Sequence, residues 1–133
     1  MPRLHVLVGQ EHAYDELLAA AKDGNSIAWV VPKNAARGEP VLFYFRHLDA
    51  FVARGEIATA PDATMFGRRP TYQTDVIYVS KLRRRVPLRS AQETFPHWDW
   101  CLYPRSFTTT TVEFGTQLRA FVEEATSDKG RTR

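Results

Sequence analysis

Val41-Leu-Phe-Tyr-Phe45 is a run of five apolar and aromatic residues with no polar face. On a strand, successive side chains point to opposite sides, so Val41, Phe43 and Phe45 share one face and Leu42 and Tyr44 the other. Both faces must be covered, which predicts a strand in the middle of a sheet. Upstream, Leu4-His-Val-Leu-Val8 reads as a first strand. A helix follows from about Ala13 to Lys22, with Tyr14, Leu17, Leu18 and Ala21 on one face and Gly24 as its stop. Ile27-Ala-Trp-Val-Val31 precedes the central run, and Ala50–Ala58, Val76–Val79 and a short Val86-Pro-Leu88 follow it as further strands.

Short helical pieces close the chain. Ser90-Ala-Gln-Glu93 fits a capping box, and Pro96 stops that turn. Thr110-x-x-Glu113 offers a second capping box, opening a helix from about Thr111 whose apolar stripe is Val112, Leu118, Phe121, Val122 and Ala125. Beyond Thr126 the chain is polar, which predicts one domain over residues 1–126 and a frayed tail over 127–133. Strands flanked by helices in this order allow an α+β sheet or a small, strongly curved barrel.

A chain of 133 residues, 44% of them hydrophobic, suffices for one core. No apolar run approaches the roughly 20 residues of a membrane helix, and the start lacks the apolar segment of a signal peptide, so a cytoplasmic protein is expected. One cysteine, Cys101, excludes an internal disulfide, and with four scattered histidines it gives no zinc spacing. No cofactor or metal is expected. Net charge is only +3, but from Arg68 to Arg89 seven basic residues face one acidic residue, a net +6 that leaves the rest at −3. Such a segment is either the footprint of a phosphate backbone contact or a strand edge protected by charge. Arg83-Arg-Arg85 would point its side chains alternately if extended, so only part of it could face a ligand.

Phe95-Pro-His-Trp-Asp-Trp-Cys-Leu-Tyr-Pro-Arg105 holds two of the three tryptophans. At strand spacing Trp98 and Trp100 would share a face, and in a loop they would splay around a cavity. Either way Asp99 would lie between two flat apolar walls that suit a planar ligand such as a nucleobase. The alternative is that both rings plug a core beneath a loop.

The succession Trp29-Val-Val-Pro-Lys-Asn-Ala-Ala-Arg-Gly-Glu-Pro-Val-Leu-Phe-Tyr44, Phe51-Val-Ala-Arg-Gly-Glu-Ile57, Val76-Ile-Tyr-Val79, Pro87-Leu88 and Pro104-Arg105-Ser106 resembles the EVE domains of the PUA-like superfamily, over roughly Ile27 to Glu124. Glu39-Pro40 stands where those domains more often have Gly-Asp followed by a basic residue. The resemblance, shared with YTH, ASCH and SRA modules, implies an α+β fold with a partly open β-barrel and flanking helices. It also implies a pocket for a flipped-out or single-stranded modified base, such as methylated or hydroxymethylated cytosine or methylated adenine. The partner would be DNA or RNA, with a separately encoded nuclease as an open further partner.

Such a reader needs flat side chains and a basic rim, because stacking must offset the cost of extruding a base. Trp29, Trp98 and Trp100, with Tyr44 in support, are the candidate walls. Asn34 and Asp99 are candidates for the base's polar edge, since an amide donates and accepts whereas a carboxylate only accepts. Lys33, Arg68, Arg69 and Arg105 are the candidate phosphate contacts. Core packing competes for Trp29 and Tyr44, a turn for Asn34, a loop or cap for Asp99 and plain surface for Lys33. Catalysis is not expected. The enzyme readings are a metal-free ribonuclease, since some ASCH-like relatives cleave RNA and such chemistry needs only a positioned base or cation, for instance Lys33, Tyr44 and Arg105, and a Cys101–His97 pair beside Asp99. A small-molecule or protein interaction domain is the third class.

Overall fold

A computed structural model describes residues 2–66, 69–102, 104 and 107–127, leaving aside the side chains of 64–66 and 69. Seven strands, β1 (His5–Gly9), β2 (Ile27–Val30), β3 (Pro40–Phe45), β4 (Ala50–Ile57), β5 (Asp62–Phe66), β6 (Arg69–Pro87) and β7 (Thr108–Thr109), join one mixed sheet. Its order is β2-β6-β4-β3-β1-β7, with β5 paired to the start of β6. The apolar run of β3 lies between β4 and β1, as its two buried faces require. β1 and β3 are parallel. The crossover between them contains α1 (Tyr14–Asp23), which ends at Gly24 in the left-handed conformation that glycine adopts without steric cost. This is an α+β, PUA-like, partly open barrel.

The two faces of β3 sort the core into two clusters. Leu42 and Tyr44 join Phe51, Leu82 and Val86 with Leu118 and Val122 of α3 (Val112–Thr126), while Val41, Phe43 and Phe45 join Leu7, Val52 and Val76 with Leu17 of α1. The sheet thus has an α3 side and an α1 side.

Three local readings are corrected. The segments expected at Val76–Val79 and Val86–Leu88 belong to one strand, β6, and Leu88 instead opens α2 (Leu88–Thr94). The polar residues of β5 and of the first half of β6 hid both from apolar periodicity, since these stretches are held by backbone pairing and not by an alternating apolar face. The capping box at Ser90 is absent: the N-cap of α2 is Pro87, without a side-chain cap, and Glu93 instead pairs with Arg89 at 3.7 Å. At α3 the cap is Thr111, whose hydroxyl accepts from Phe114 N–H at 3.1 Å, while Thr110 donates to the Leu4 carbonyl. The expected tail lies outside the described residues beyond Ser127, the C-cap of α3.

The Glu39 departure has a structural use. Gly38, at φ +87°, turns the chain so that the Glu39 carboxylate points inward. There it accepts from Arg3 Nε at 2.9 Å, from fully buried His5 Nε2 at 2.7 Å and from Ala36 N–H at 2.7 Å. Arg3 also donates to the Asn34 carbonyl at 2.7 Å, tying the β2–β3 loop to β1.

Candidate nucleic-acid interface

A cleft of about 270 Å³ opens on the α1 side of the sheet, between the end of β1, the start of the first helical segment and β2. Its size approaches the lower end of the roughly 300–1,000 Å³ typical of small-ligand sites. Trp29 forms one wall, held edge-on by two buried rings: Phe43 at 5.0 Å and Phe45 at 6.1 Å between centroids. Gln10, His12 and Glu16, before and within α1, and Gln73 of β6 supply polar groups. Two amides and an imidazole can both donate and accept, so this edge can match the mixed donor and acceptor pattern of a base.

Lys33 and Asn34 follow β2 on an exposed turn. The Lys33 ammonium lies 5.9 Å from the centroid of Tyr72, whose carbonyl accepts from Val31 N–H at 2.8 Å. Lys33 and Asn34 therefore sit past the end of the strand that carries Trp29, where a rim contact was expected.

Tyr44, Trp98 and Trp100 are on the other side. Tyr44 is 2% exposed, its hydroxyl donates to Asp49 at 2.6 Å, and its ring meets Trp100 edge-on at 5.3 Å. Burial, then Asp49, pushes its phenol far above the usual range. Trp98 and Trp100 stack on each other at 5.1 Å and 26°, and both lie over Phe51. A base between them would need about 7 Å, two contact distances of about 3.5 Å. The rings are neither splayed nor strand-spaced: Asp99–Leu102 is a 3-10 turn, and Asp99 is exposed on it instead of lying between two facing walls. The four expected walls therefore do not form one cage. Trp29 stands alone on the α1 side, and the other three share the α3-side cluster.

Arg68 and Arg105 lie outside the described residues, and Arg69 is placed by its backbone, paired with Phe66. Burial pushes the Cys101 thiol up to about 11, so it carries no thiolate near neutrality, and His97 is instead packed against Phe95 and Phe114. Tyr44 and Lys33 do not converge either, since one is buried among α3-side residues and the other lies over Tyr72. Among the described residues no group of three His, Cys, Asp or Glu side chains could hold a metal, and no helix is long and apolar enough to cross a membrane.

Sequence reasoning missed Gln10, His12, Glu16 and Gln73. Gln73 reaches the cleft only through the β2–β6 register, Val30 opposite Gln73, which no local pattern announces. The other three surround the start of a helix of which the sequence reading used only the apolar face and the terminal glycine.

This architecture is the PUA-like one shared by EVE-type and YTH domains, so the fold implied by the sequence resemblance holds. No family model and no curated protein matches the sequence. Solved structures do match. Rpa0253 from Rhodopseudomonas palustris superposes with a TM-score of 0.66 at 15% identity, over 98% of this chain and 99% of its own. Human THYN1, solved in complex with DNA containing 5-methylcytosine, gives 0.65 at 14% identity, over 91% and 98%. The YTH domain of Zygosaccharomyces rouxii MRB1, solved with N6-methyladenosine RNA, gives 0.53 at 13% identity, over 90% and 86%.

Proposed function

We propose that this protein is a non-catalytic reader of nucleic acid that takes a modified base into the Trp29 cleft. The observation that carries the reading is the Trp29 wall itself, a half-buried indole braced by Phe43 and Phe45 and facing a polar edge of Gln10, His12 and Gln73. The bound partners of the THYN1 and MRB1 structures, methylated DNA and methylated RNA, support the same class of ligand. Stacking on one aromatic face contributes roughly 1–3 kcal/mol, enough to offset the few kcal/mol of unstacking. A shaped apolar wall distinguishes one methyl group by about 1–3 kcal/mol. Lys33 and Asn34 serve the rim, and Tyr44, Trp98 and Trp100 hold α3 on the sheet.

The test is an anisotropy titration against DNA and RNA oligonucleotides, unmodified or carrying methylated or hydroxymethylated cytosine or methylated adenine, at two salt concentrations. One modified base should bind at least several-fold better at both salts, with the oligonucleotide recovered intact. Equal affinity for all would sink the reading, and shortening of the strand would replace it with a nuclease.

A further inference from the structure

β6 carries an inserted residue a short way along from the Trp29 site. Glu56 of β4 faces Ile77 and Arg54 faces Ser80, so a step of two residues on β4 is matched by three on β6, and Tyr78 and Val79 together stand opposite Gly55. Val76 and Val79 both belong to the α1-side core, although a regular strand would send residues three apart to opposite faces. Val79 thus keeps its place in the core and Tyr78 is the insertion. The bulge is closely fitted: a Cβ on Gly55 would stand 2.5 Å from a Val76 methyl carbon, so β6 closes onto bare backbone there.

Tyr78 holds a φ of +54°, a left-handed conformation that glycine or asparagine adopts readily and that is a costly outlier for a bulky ring. Packing does not use that ring. Tyr78 is 70% exposed, more than any other large apolar side chain among the described residues, and it joins neither core cluster. Its side chain makes no hydrogen bond or ring contact among the described residues. A strained backbone that presents an unused aromatic ring to solvent points to a contact outside the fold.

The position of Tyr78 says what that contact is. Trp29 of β2 faces Thr74 of β6, and the pairing of the two strands ends at Ile27 opposite Val76. All of β2 lines the Trp29 cleft, and past Val76 the outer edge of β6 has no strand partner among the described residues. A polymer leaving the cleft past Ile27 therefore meets Tyr78 two residues further on. From Thr74 to Tyr78 is four residues, about 13 Å at 3.3 Å each. That is the length of about four stacked nucleotides at 3.4 Å each. Tyr78 also stands within the Arg68–Arg89 segment of net charge +6. Glu93, paired with Arg89, and Glu123, beside Lys81 and Arg83, offset part of that charge and leave the segment basic, which favours an anionic polymer over a neutral surface.

We infer that Tyr78 is a second stacking platform, which takes a flanking base of the same single strand whose modified base enters the Trp29 cleft. This rests on the base-reading assignment for the strand's identity, but the two contributions are separable. Tyr78 adds affinity that depends on strand length and not on modification, because every base has a face to stack, and Trp29 supplies the preference.

The experiment measures binding of single-stranded trinucleotides and nine-nucleotide strands, each with a central base that is methylated or not, to the natural chain, Y78N, Y78F and W29A. Asparagine tolerates the left-handed backbone, so Y78N should melt no lower than the natural chain. It should bind the longer strand at least roughly fivefold more weakly, the loss of one stacked base, and the trinucleotide as before. Y78F should restore the longer strand's affinity. The ratio of modified to unmodified binding should hold in both variants and vanish in W29A. Unchanged affinity of Y78N for the longer strand overturns the proposal, as do an equal loss on both lengths, failure of Y78F to restore it, or the absence of any oligonucleotide binding. Self-association of the natural chain that Y78N abolishes, with the longer strand bound as before, would make Tyr78 a protein contact and overturn it too. A natural chain with no modified-base preference, but with long-strand affinity lost in Y78N and regained in Y78F, would remove the base-reading assignment and keep the platform.

Discussion

Gly9 and Phe45 face each other across the parallel β1–β3 pair, and the Phe45 ring occupies the space a side chain at position 9 would need: a Cβ there would stand 2.5 Å from the ring. Phe45 is fully buried and is one of the two rings that brace Trp29, so the missing side chain is part of how the cleft wall is built. Gly9→Ala should therefore force the ring aside at a cost of about 1–3 kcal/mol. It should also weaken base binding while leaving the salt dependence alone. Thermal denaturation and a titration at two salts would check both, and an alanine variant as stable as the natural chain would contradict the packing account.

Glu39 should make stability pH-dependent on the acid side. Burial alone would raise its carboxyl, but hydrogen bonds from Arg3, His5 and Ala36 N–H outweigh it and bring the carboxyl down from 4.5 to about 2. A carboxylate titrating lower in the folded state contributes stability above its unfolded value, and loses it as pH falls from about 5 towards 2. The contribution is on the order of 2–3 kcal/mol, the range for hydrogen bonds to a buried charge. Glu39→Gln should lower the melting temperature by several degrees at pH 7 and flatten the acid limb of the stability curve. Parallel curves for the two proteins would show that Glu39 is not the group responsible.

Trp98→Ala should behave as a core mutation. Its ring is half-buried, stacked on Trp100 and in edge contact with Phe114 of α3, so its removal should cost about 2–3 kcal/mol. Preference for a modified base should survive at temperatures where the variant is folded. Loss of that preference without loss of stability would move the binding site to the α3 side.

Cys101 should be nearly inert in the folded protein. With its thiol pushed up to about 11 by burial, alkylation at pH 8 should proceed far more slowly than for a free cysteine and accelerate to the ordinary rate in denaturant. Rapid stoichiometric labelling of the native chain would restore the Cys101–His97 pair as a catalytic candidate.

The parts of this molecule legible in its sequence are those where burial leaves a periodic trace. Val41–Phe45 announced a two-sided central strand because every residue in it is apolar, and Gly24 marked the end of α1 because it alone there tolerates a left-handed turn. β5 and the first half of β6 left no trace, since residues such as Thr71, Gln73 and Asp75 are specified by backbone pairing with β5 and β2 and not by an alternating apolar face. The aromatic residues were legible as a set but not as an arrangement. Trp29 is three residues from Pro32 and Trp98 two from Pro96, yet only the sheet decides that one faces α1 and the other α3.

The central claim is that Trp29 is the surface on which a modified base is recognised. The most direct measurement is paired anisotropy titrations of the natural chain and W29A, with oligonucleotides that differ only in one methyl group on cytosine or adenine. The natural chain should favour the modified strand by roughly tenfold or more, and W29A should bind both strands equally at the affinity the natural chain shows for the unmodified one. A preference that W29A retains would contradict the assignment.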